Sequence, residues 1–194
     1  AAVERAGIKN PADIDEVFMG NVVPAGEGQA PARQASIFAG LPDTVGATTV
    51  NKVCGSGMKA IIFGAQAIKA GDGQLFVGGG MESMTRAPFL VGGRTGDLRY
   101  GHANLKDSLL HDGLWDPFED WAMGNAADFI ADEYGITREE MDEFSAQSQQ
   151  KAIAAIEAGK FKDEIVPVEV PGRKGAVTIF DTDEGPRAGT TAEG

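Results

Sequence analysis

The residues with the clearest chemical potential lie around Cys54, the only cysteine in the 194-residue sequence. It stands in the segment Val50-Asn51-Lys52-Val53-Cys54-Gly55-Ser56-Gly57-Met58-Lys59-Ala60. This segment joins a run rich in β-branched residues, 44–53, to an apolar run that begins at Met58. The pattern predicts that the thiol lies where a strand ends and a helix begins. Unpaired N–H groups and the helix dipole stabilise negative charge there, so the position favours a thiolate.

A nucleophile presented on a strand-to-helix turn is one of two interpretations of Cys54. The flanking Gly55 and Gly57 have no Cβ and would allow a substrate to approach the backbone closely. The α/β-hydrolases present a catalytic serine on a turn of this kind. Single cysteines are also often inert residues of the core, where they act as small hydrophobic groups. Position alone leaves both interpretations open.

Strands and helices alternate through the first 80 residues, and this order should place Cys54 at one edge of a sheet. Strands are predicted at 16–23, 44–53 and 75–80, with helices at 30–39 and from the turn after Cys54 to Ala70. Strands that alternate with helices pair in parallel through right-handed crossovers. Ligand sites in such sheets lie at the carboxyl ends of the strands. The helix after Cys54 is apolar nearly all round, so we expect it to be buried.

The later part of the sequence predicts a mixed α and β unit. Residues 86–118 are rich in glycine and charge and only weakly periodic, and a stretch of that length is usually functional or part of an assembly contact. A helix is predicted at 124–134. The capping box Thr137-Arg138-Glu139-Glu140 begins a longer helix. Its inward stripe is expected at Met141, Phe144, Ser148, Ala152 and Ile156. Segments 164–170 and 176–180 predict a β-hairpin.

Composition excludes several classes of partner. A net charge of -12 argues against a general nucleic-acid surface, which requires a basic patch. No apolar run approaches membrane-spanning length, so we expect no membrane partner. A single cysteine excludes an internal disulfide framework and fits a reducing compartment, so we expect a cytoplasmic protein. The two histidines, His102 and His111, form no metal-ligand pattern, and no metal site is predicted.

Three motifs in the first half of the sequence resemble the thiolase family, nearest to its biosynthetic acetyl-CoA C-acetyltransferase type. They are the segment 21–34, the segment around Cys54 already quoted, and Gly79-Gly80-Met81-Glu82-Ser83-Met84-Thr85. Shorter matches follow at Asp112-Gly113-Leu114, Met123-Gly124, 145–149 and 161–167. The resemblance therefore extends along the whole sequence.

The resemblance implies an α/β fold made of one half of a thiolase core. Residues 1–85 are expected to form the N-terminal βαβαβ core half, and residues 86–194 an α+β lid domain with an oligomerisation excursion. The residue matching the family nucleophile is Cys54, whose backbone N–H should also donate to the acyl oxyanion. Leu114 and Met123 match apolar contacts to pantetheine in the lid. Plain packing explains these two residues equally well.

The resemblance also implies a reaction and its partners. Cys54 would take an acyl group from an acyl-CoA, and a second acetyl-CoA would then be condensed onto it, or a 3-ketoacyl-CoA cleaved in the reverse direction. Acyl-CoA and CoA are then substrates, no permanently bound cofactor is implied, and the protein should form a homodimer or a homotetramer. The sequence has no Asn-Glu-Ala-Phe, Gly-His-Pro or second Cys-x-Gly-Gly-Gly motif. We therefore expect a partial thiolase chain, which holds the nucleophile and lacks the acid/base half.

Two features leave alternatives open. Many biosynthetic thiolases have histidine immediately before the Met-Gly pair, where this sequence has Ala122. The difference leaves open a preference for acyl chains longer than acetyl, or membership of a related branch. Neither His102 nor His111 matches the family's catalytic histidine. The alternatives are a decarboxylating condensing enzyme of the ketoacyl-synthase type and a non-catalytic relative that binds acyl-CoA or lipid.

Overall fold

A three-stranded parallel sheet forms the centre of the first part of the chain. The computed structural model describes residues 1–93, 98 and 100–194. These divide into two compact units, Ala1–Met123 and Gly124–Gly194. The boundary between residues 85 and 86, which the family resemblance implies, stays a prediction.

The sheet of the first unit has the strand order β2-β1-β3. Its strands are β1 (Glu16–Gly20), β2 (Gly46–Val50) and β3 (Phe76–Gly80), and the helices around them are α1 (Ala2–Arg5), α2 (Pro31–Phe38) and α3 (Ser56–Ala70). Both neighbours pair with β1 in parallel, and Gly20 is in register with Val50 on one side and Gly80 on the other. The three strands therefore end at the same edge. The predicted parallel βαβαβ arrangement is confirmed.

Apolar side chains on both faces of this sheet hold the helices against it. One cluster consists of Ile14, Val17, Leu41 and Val45, all buried. On the α3 side, the ring of Phe18 lies 5.9 Å from the ring centroids of both Phe63 and Phe76. A Cβ added at Gly64 would lie 3.0 Å from Cβ of Phe76, so α3 packs very closely on β3.

The prediction that α3 is buried all round is wrong for one of its faces. The face toward the sheet is buried at Ser56, Ala60 and Gly64. Met58 is 71% exposed, and Ile61, Ile62 and Ile68 are exposed as well. Since the sheet covers one side of the helix, an apolar sequence alone could not determine which face has a neighbour.

Short elements fill the rest of the first unit. Strand β4 (Phe89–Leu90) pairs with β5 (Lys106–Asp107), a π-helix spans Leu109–Leu114, and β6 (Trp115–Asp116) pairs with β7 (Trp121–Ala122). Both pairs are antiparallel. The functional or assembly role predicted for 86–118 concerns a stretch that includes residues 94–97 and 99, which lie outside the described residues.

The second unit contains helices and one hairpin. Helix α4 (Met123–Tyr134) leads into it, α5 (Arg138–Glu157) follows, and β8 (Val168–Pro171) pairs antiparallel with β9 (Val177–Phe180). The predicted capping box is confirmed: Glu140 N–H donates to Thr137 Oγ1 at 3.2 Å, and Thr137 N–H donates to the Glu140 carboxylate at 2.9 Å. The predicted hairpin is confirmed too.

The predicted inward stripe of α5 is wrong over its first half. Met141, Phe144 and Ser148 are exposed, whereas Ala146 is the buried residue of this helix. Ala152 and Ile156 are half-buried. The spacing of apolar residues correctly gave a helix, but the buried side depends on where the other elements of the unit lie. Among the described residues, no helix combines the length and the apolar character needed to cross a bilayer.

Candidate active site

Cys54 lies in the turn between β2 and α3, as its sequence position predicts. Strand β2 ends at Val50 and helix α3 begins at Ser56, so the cysteine is two residues before the helix. Its side chain is a free thiol and is exposed. Its exposure in this chain favours the interpretation of Cys54 as a nucleophile over that of an inert residue of the core.

Glycines allow the first turn of α3 to contact the strand ends directly. A Cβ added at Gly20, the last residue of β1, would lie 2.6 Å from both Gly57 N and Ser56 C. A Cβ added at Gly80, the last residue of β3, would lie 3.3 Å from Gly57 Cα. Real Cβ atoms do not come within 3.0 Å of such atoms. The close contact between β1 and α3 therefore requires glycine at position 20.

The turn that carries Cys54 contains an uncommon backbone conformation. Val53 has φ of +47°, in the left-handed region that a β-branched residue rarely adopts. Asn51 Oδ1 accepts the Val53 N–H at 3.0 Å. Ser56 Oγ accepts the Lys52 N–H at 2.8 Å and donates to the Val53 carbonyl at 2.5 Å. Three side-chain hydrogen bonds thus surround the residue immediately before the thiol.

Side chains also tie together the loops that follow the three strands. After β3, the Glu82 carboxylate accepts the N–H groups of Val22 at 2.8 Å and Val23 at 3.0 Å, and Asn21 Nδ2 donates to it at 3.0 Å. After β2, Asn51 Nδ2 donates to the Val22 carbonyl at 3.3 Å. Sequence reasoning missed Glu82 and Asn51, although both lie in the motifs quoted for the family. No local pattern links residues about 60 positions apart.

The structure brings Leu114 and Met123 to neighbouring positions. Strands β6 and β7 pair Trp115 with Ala122, so Leu114, which ends the π-helix, and Met123, which begins α4, flank the same end of this pair of strands. Leu114 is 41% exposed and Met123 is 44% exposed, which leaves both side chains accessible to a ligand.

The π-helix that precedes β6 also approaches the loop after β1. A Cβ added at Gly113 would lie 3.5 Å from Cγ1 of Val23, an ordinary van der Waals distance. Val23 is held by Glu82, and the adjacent Val22 is held by Asn51 in the turn of the thiol. Leu114 therefore follows a residue that lies close to the loop after β1, and hydrogen bonds join that loop to the turn that carries Cys54.

A cavity of about 420 Å³ opens at the same edge of the sheet. It is lined by residues 23, 25–27, 83 and 86–88, from the loop after β1 and the segment after β3. Cavities of several hundred Å³ are the usual size for small-molecule sites. The edge thus offers both an exposed thiol and space for a ligand.

The two histidines occupy other surroundings. His102 lines a separate cavity together with Leu90, Val91 and Lys106, and His111 lies within the π-helix Leu109–Leu114. Within the ranges that the structure describes, no three side chains of His, Cys, Asp or Glu gather as a metal site would require.

Comparison with known proteins identifies the fold. Residues 1–194 match the family described as thiolase, N-terminal domain. An acetyl-CoA acetyltransferase from Pseudomonas aeruginosa is 57% identical over 191 residues, which are 98% of this chain and 48% of that protein. An acetyl-CoA acetyltransferase from Cupriavidus necator is 53% identical over 193 residues, 100% of this chain and 49% of that protein. The chain spans about half the length of the curated relatives it matches.

Two solved structures share the architecture. The crystal structure of the Bacillus anthracis acetyl-CoA acetyltransferase matches with a TM-score of 0.92 and 38% identity, over 99% of this chain and 48% of that one. A thiolase from Ascaris suum in complex with coenzyme A matches with a TM-score of 0.81 and 43% identity, over 86% of this chain and 43% of that one. The resemblance noted in the sequence motifs is confirmed, and the chain belongs to the thiolase family.

Proposed function

We propose that the protein is a thiolase that transfers acetyl groups between CoA thioesters, with Cys54 as the nucleophile. The observation that carries the proposal is the single exposed thiol at the carboxyl edge of a parallel sheet, two residues before helix α3. Relatives at 57% and 53% identity are named acetyl-CoA acetyltransferase, and a structural neighbour was solved with coenzyme A. The proposed substrates are CoA thioesters, and the proposed reaction requires no permanently bound cofactor.

The first step forms a thioester on the protein. The Cys54 thiolate attacks the carbonyl carbon of acetyl-CoA, the tetrahedral intermediate collapses, and the CoA thiolate leaves and takes up a proton. One thioester is broken and one is formed, so the exchange is close to isoenergetic. The Cys54 N–H would donate to the oxyanion of the intermediate, and loss of one such donor typically costs about 3 kcal/mol in the barrier.

The second step uses the acyl-enzyme as the electrophile. A base removes a proton from the α carbon of a second acetyl-CoA, and the resulting carbanion attacks the acetyl group on Cys54. The new carbon–carbon bond forms as the Cys54 thiolate leaves, which gives a 3-ketoacyl-CoA. In the reverse direction, Cys54 cleaves a 3-ketoacyl-CoA and CoA then accepts the acyl group.

Leu114 and Met123 are proposed to contact the pantetheine arm of the CoA thioester. Their positions at the same end of the β6–β7 pair, their partial exposure and the closeness of Gly113 to Val23 support this assignment. An apolar pair of this kind would bind the aliphatic part of pantetheine while the thioester reaches Cys54. Loss of one such contact should weaken binding about tenfold.

Two alternatives from the sequence have less support. A ketoacyl-synthase-type enzyme would use the same cysteine in a decarboxylating reaction, but the relatives named above are acetyl-CoA acetyltransferases. A non-catalytic relative would bind acyl-CoA without reacting, and the exposed thiol favours catalysis over it. Assembly as a homodimer or homotetramer and a cytoplasmic location remain proposals from the family resemblance and the single cysteine.

Acetyl transfer to Cys54 can be measured directly in the full-length gene product. The protein is mixed with acetyl-CoA and quenched with acid, and its intact mass is followed with time. We expect one acetyl group on the wild type and none on Cys54→Ala. An adduct of equal yield on Cys54→Ala, or no adduct on the wild type, would contradict the proposal. Carbon dioxide release from malonyl-CoA would support the condensing-enzyme alternative.

The same assay tests the pantetheine contacts. Leu114→Ala and Met123→Ala should each raise the acetyl-CoA concentration for half-maximal acylation about tenfold, with little change at saturation. The exposed Leu105 provides a matched control, because Leu105→Ala removes a leucine of the same unit outside the hairpin. If all three variants had the same acetyl-CoA concentration for half-maximal acylation, Leu114 and Met123 would not bind the pantetheine arm.

A further inference from the structure

Val53, the residue before Cys54, has a backbone conformation that a β-branched side chain disfavours. Val53 has φ of +47°, and for a β-branched residue this left-handed conformation brings Cβ too close to the backbone. Val53 is also 49% exposed, so burial of its side chain does not explain why this conformation is kept. Strained conformations persist only when the surrounding structure determines them, and they are concentrated at functional sites.

Ser56 provides the first part of that surrounding structure. The residue is 4% exposed, and its hydroxyl bridges the backbone on both sides of the peptide between Lys52 and Val53. It accepts the Lys52 N–H at 2.8 Å and donates to the Val53 carbonyl at 2.5 Å. Relaxation of Val53 toward a right-handed or extended conformation would rotate these groups and break at least one of the two hydrogen bonds.

Asn51 provides the second part. Its Oδ1 accepts the Val53 N–H at 3.0 Å, so it fixes the same residue from the strand side. Its Nδ2 donates to the Val22 carbonyl at 3.3 Å, and Val22 is held in turn by the Glu82 carboxylate at 2.8 Å. The turn is therefore connected to the loops after β1 and β3 and cannot rotate independently of them.

The start of the helix cannot move to accommodate a relaxed turn. The backbone of Ser56 and Gly57 lies so close to Gly20 that a Cβ there would come within 2.6 Å of it. The position of α3 against β1 is thus fixed on one side. On the other, the two side chains hold the turn together with two backbone hydrogen bonds, from Gly55 N–H to the Lys52 carbonyl and from Ser56 N–H to the Val53 carbonyl, both 3.1 Å. Between these constraints, the backbone conformation of Val53 sets the direction in which the Cys54 thiol leaves the chain.

We propose that Ser56 and Asn51 are positioning residues for acyl transfer, which hold Val53 left-handed so that the Cys54 thiol meets the thioester carbonyl. This inference rests on the proposed function of Cys54. Neither residue needs to touch the substrate. Their contribution is geometric, and misplacement of a reacting atom by about 1 Å can cost a factor of about 100 in rate.

The test uses the full-length gene product and compares two reactions of the same thiol. Ser56→Ala should acylate with acetyl-CoA at least about tenfold more slowly than the wild type. Its alkylation by iodoacetamide should stay close to the wild-type rate, because a small electrophile can approach an exposed thiol from many directions. Ser36→Ala is the matched control: Ser36 is also buried, lies in α2, and its hydroxyl has no partner among the described residues.

A second substitution distinguishes positioning from general damage. Glycine adopts positive φ without the steric cost of a Cβ, so Val53→Gly should restore most of the lost acylation rate in the Ser56→Ala background. A purely structural defect in helix packing would not be repaired by this exposed substitution. Acylation of Ser56→Ala at the wild-type rate, or no recovery in the double variant, would overturn the proposal.

Variants of Asn51 test the same positioning role even if Ser56→Ala does not fold. Serine can accept a backbone N–H two residues later, as asparagine does, although more weakly. Asn51→Ser should therefore acylate faster than Asn51→Ala, and equal rates would reject the role of Asn51. If the wild-type protein formed no acetyl adduct, the proposed function itself would be rejected. If the wild type and Ser56→Ala were acylated at equal rates, only the positioning role would be rejected.

Discussion

Helices α3 and α5 are the two longest among the described residues, and their first turns are stabilised in different ways. The start of α5 is stabilised locally, by reciprocal hydrogen bonds between Thr137 and Glu140. The start of α3 has Gly55 at the N-cap position and no side-chain cap hydrogen bond. Its first turn is fixed instead by contacts with Gly20 and Gly80, at the ends of two distant strands.

This difference bears on the reaction proposed for Cys54, which lies just before α3. A capping box satisfies the free N–H groups of the first turn with the helix's own side chains. The first turn of α3 lies instead at a sheet edge, beside an exposed thiol and a left-handed Val53. Sites of function commonly depart from the local rules that stabilise an element, and the surrounding structure compensates. In this protein the compensation comes from β1, β3 and the loops after them.

The largest effect is expected from a substitution that separates α3 from the sheet. Gly20→Ala would place a Cβ 2.6 Å from Gly57 N, and a backbone atom cannot move aside as a flexible side chain can. We expect a loss of about 3 kcal/mol or more in the free energy of unfolding, the upper part of the usual range for overpacking. Urea denaturation of the full-length protein measures this loss, and acylation of Cys54 should fall with it.

Gly124→Ala is the matched control for that substitution. Gly124 lies in α4, and no atom lies within 4 Å of the position that its Cβ would occupy. Alanine is preferred to glycine in helices, so this variant should be more stable by about 0.5–1 kcal/mol. If Gly20→Ala were as stable as Gly124→Ala, the close contact would not determine the position of α3.

The elements of the fold were largely predictable because their signals are local. The capping box at Thr137, the alternation of strands and helices, and the hairpin near the end of the chain all depend on residues close in sequence. The errors concern which side of a helix is covered. Met58 on α3 and Phe144 on α5 are exposed because coverage depends on other elements, and helical periodicity carries no information about them.

The place of Cys54 between a strand and a helix was predictable from the sequence, whereas the contacts that surround it were not. The motif around Cys54 gave the thiol and its place at the strand-to-helix junction. The placement of Leu114 and Met123 at the same end of the β6–β7 pair follows from that pairing, which two-residue strands do not signal in a sequence. The Glu82 carboxylate acts on Val22 and Val23, about 60 residues earlier, and only the folded chain brings them together.

A smaller effect is expected at the start of α5. Thr137→Ala removes the side-chain acceptor for the Glu140 N–H and should lower the free energy of unfolding by about 1 kcal/mol. Thr137→Ser keeps a hydroxyl and should retain most of the stability. The acylation rate of Cys54 should be unchanged in both variants, because the cap is local to α5. A change in that rate would show that the two helix starts are coupled.

The smallest effect, and the one that depends on pH, is expected at the opposite edge of the sheet. Asp15 precedes β1, and its carboxylate accepts the N–H groups of Gln74 at 2.7 Å and Leu75 at 2.9 Å. These hydrogen bonds, with Leu75 the larger cause, hold the pKa of Asp15 below its usual value of 3.8. Like the contacts at the start of α3, they join residues that are distant in sequence.

The sign of the pH effect follows from the lowered pKa. Because the folded state holds the Asp15 proton less tightly than the unfolded state does, this carboxylate stabilises the fold above the unfolded pKa, and the contribution is lost as the pH falls through the folded pKa. Asp15→Asn should therefore lower stability at neutral pH and flatten its fall below about pH 4. Urea denaturation from neutral to acidic pH measures both changes, with Asp43→Asn, an exposed aspartate of the same unit, as the control. Parallel pH profiles for wild type and Asp15→Asn would mean that the long-range hydrogen bonds of Asp15 do not stabilise the fold, in contrast to the contacts expected to fix the start of α3.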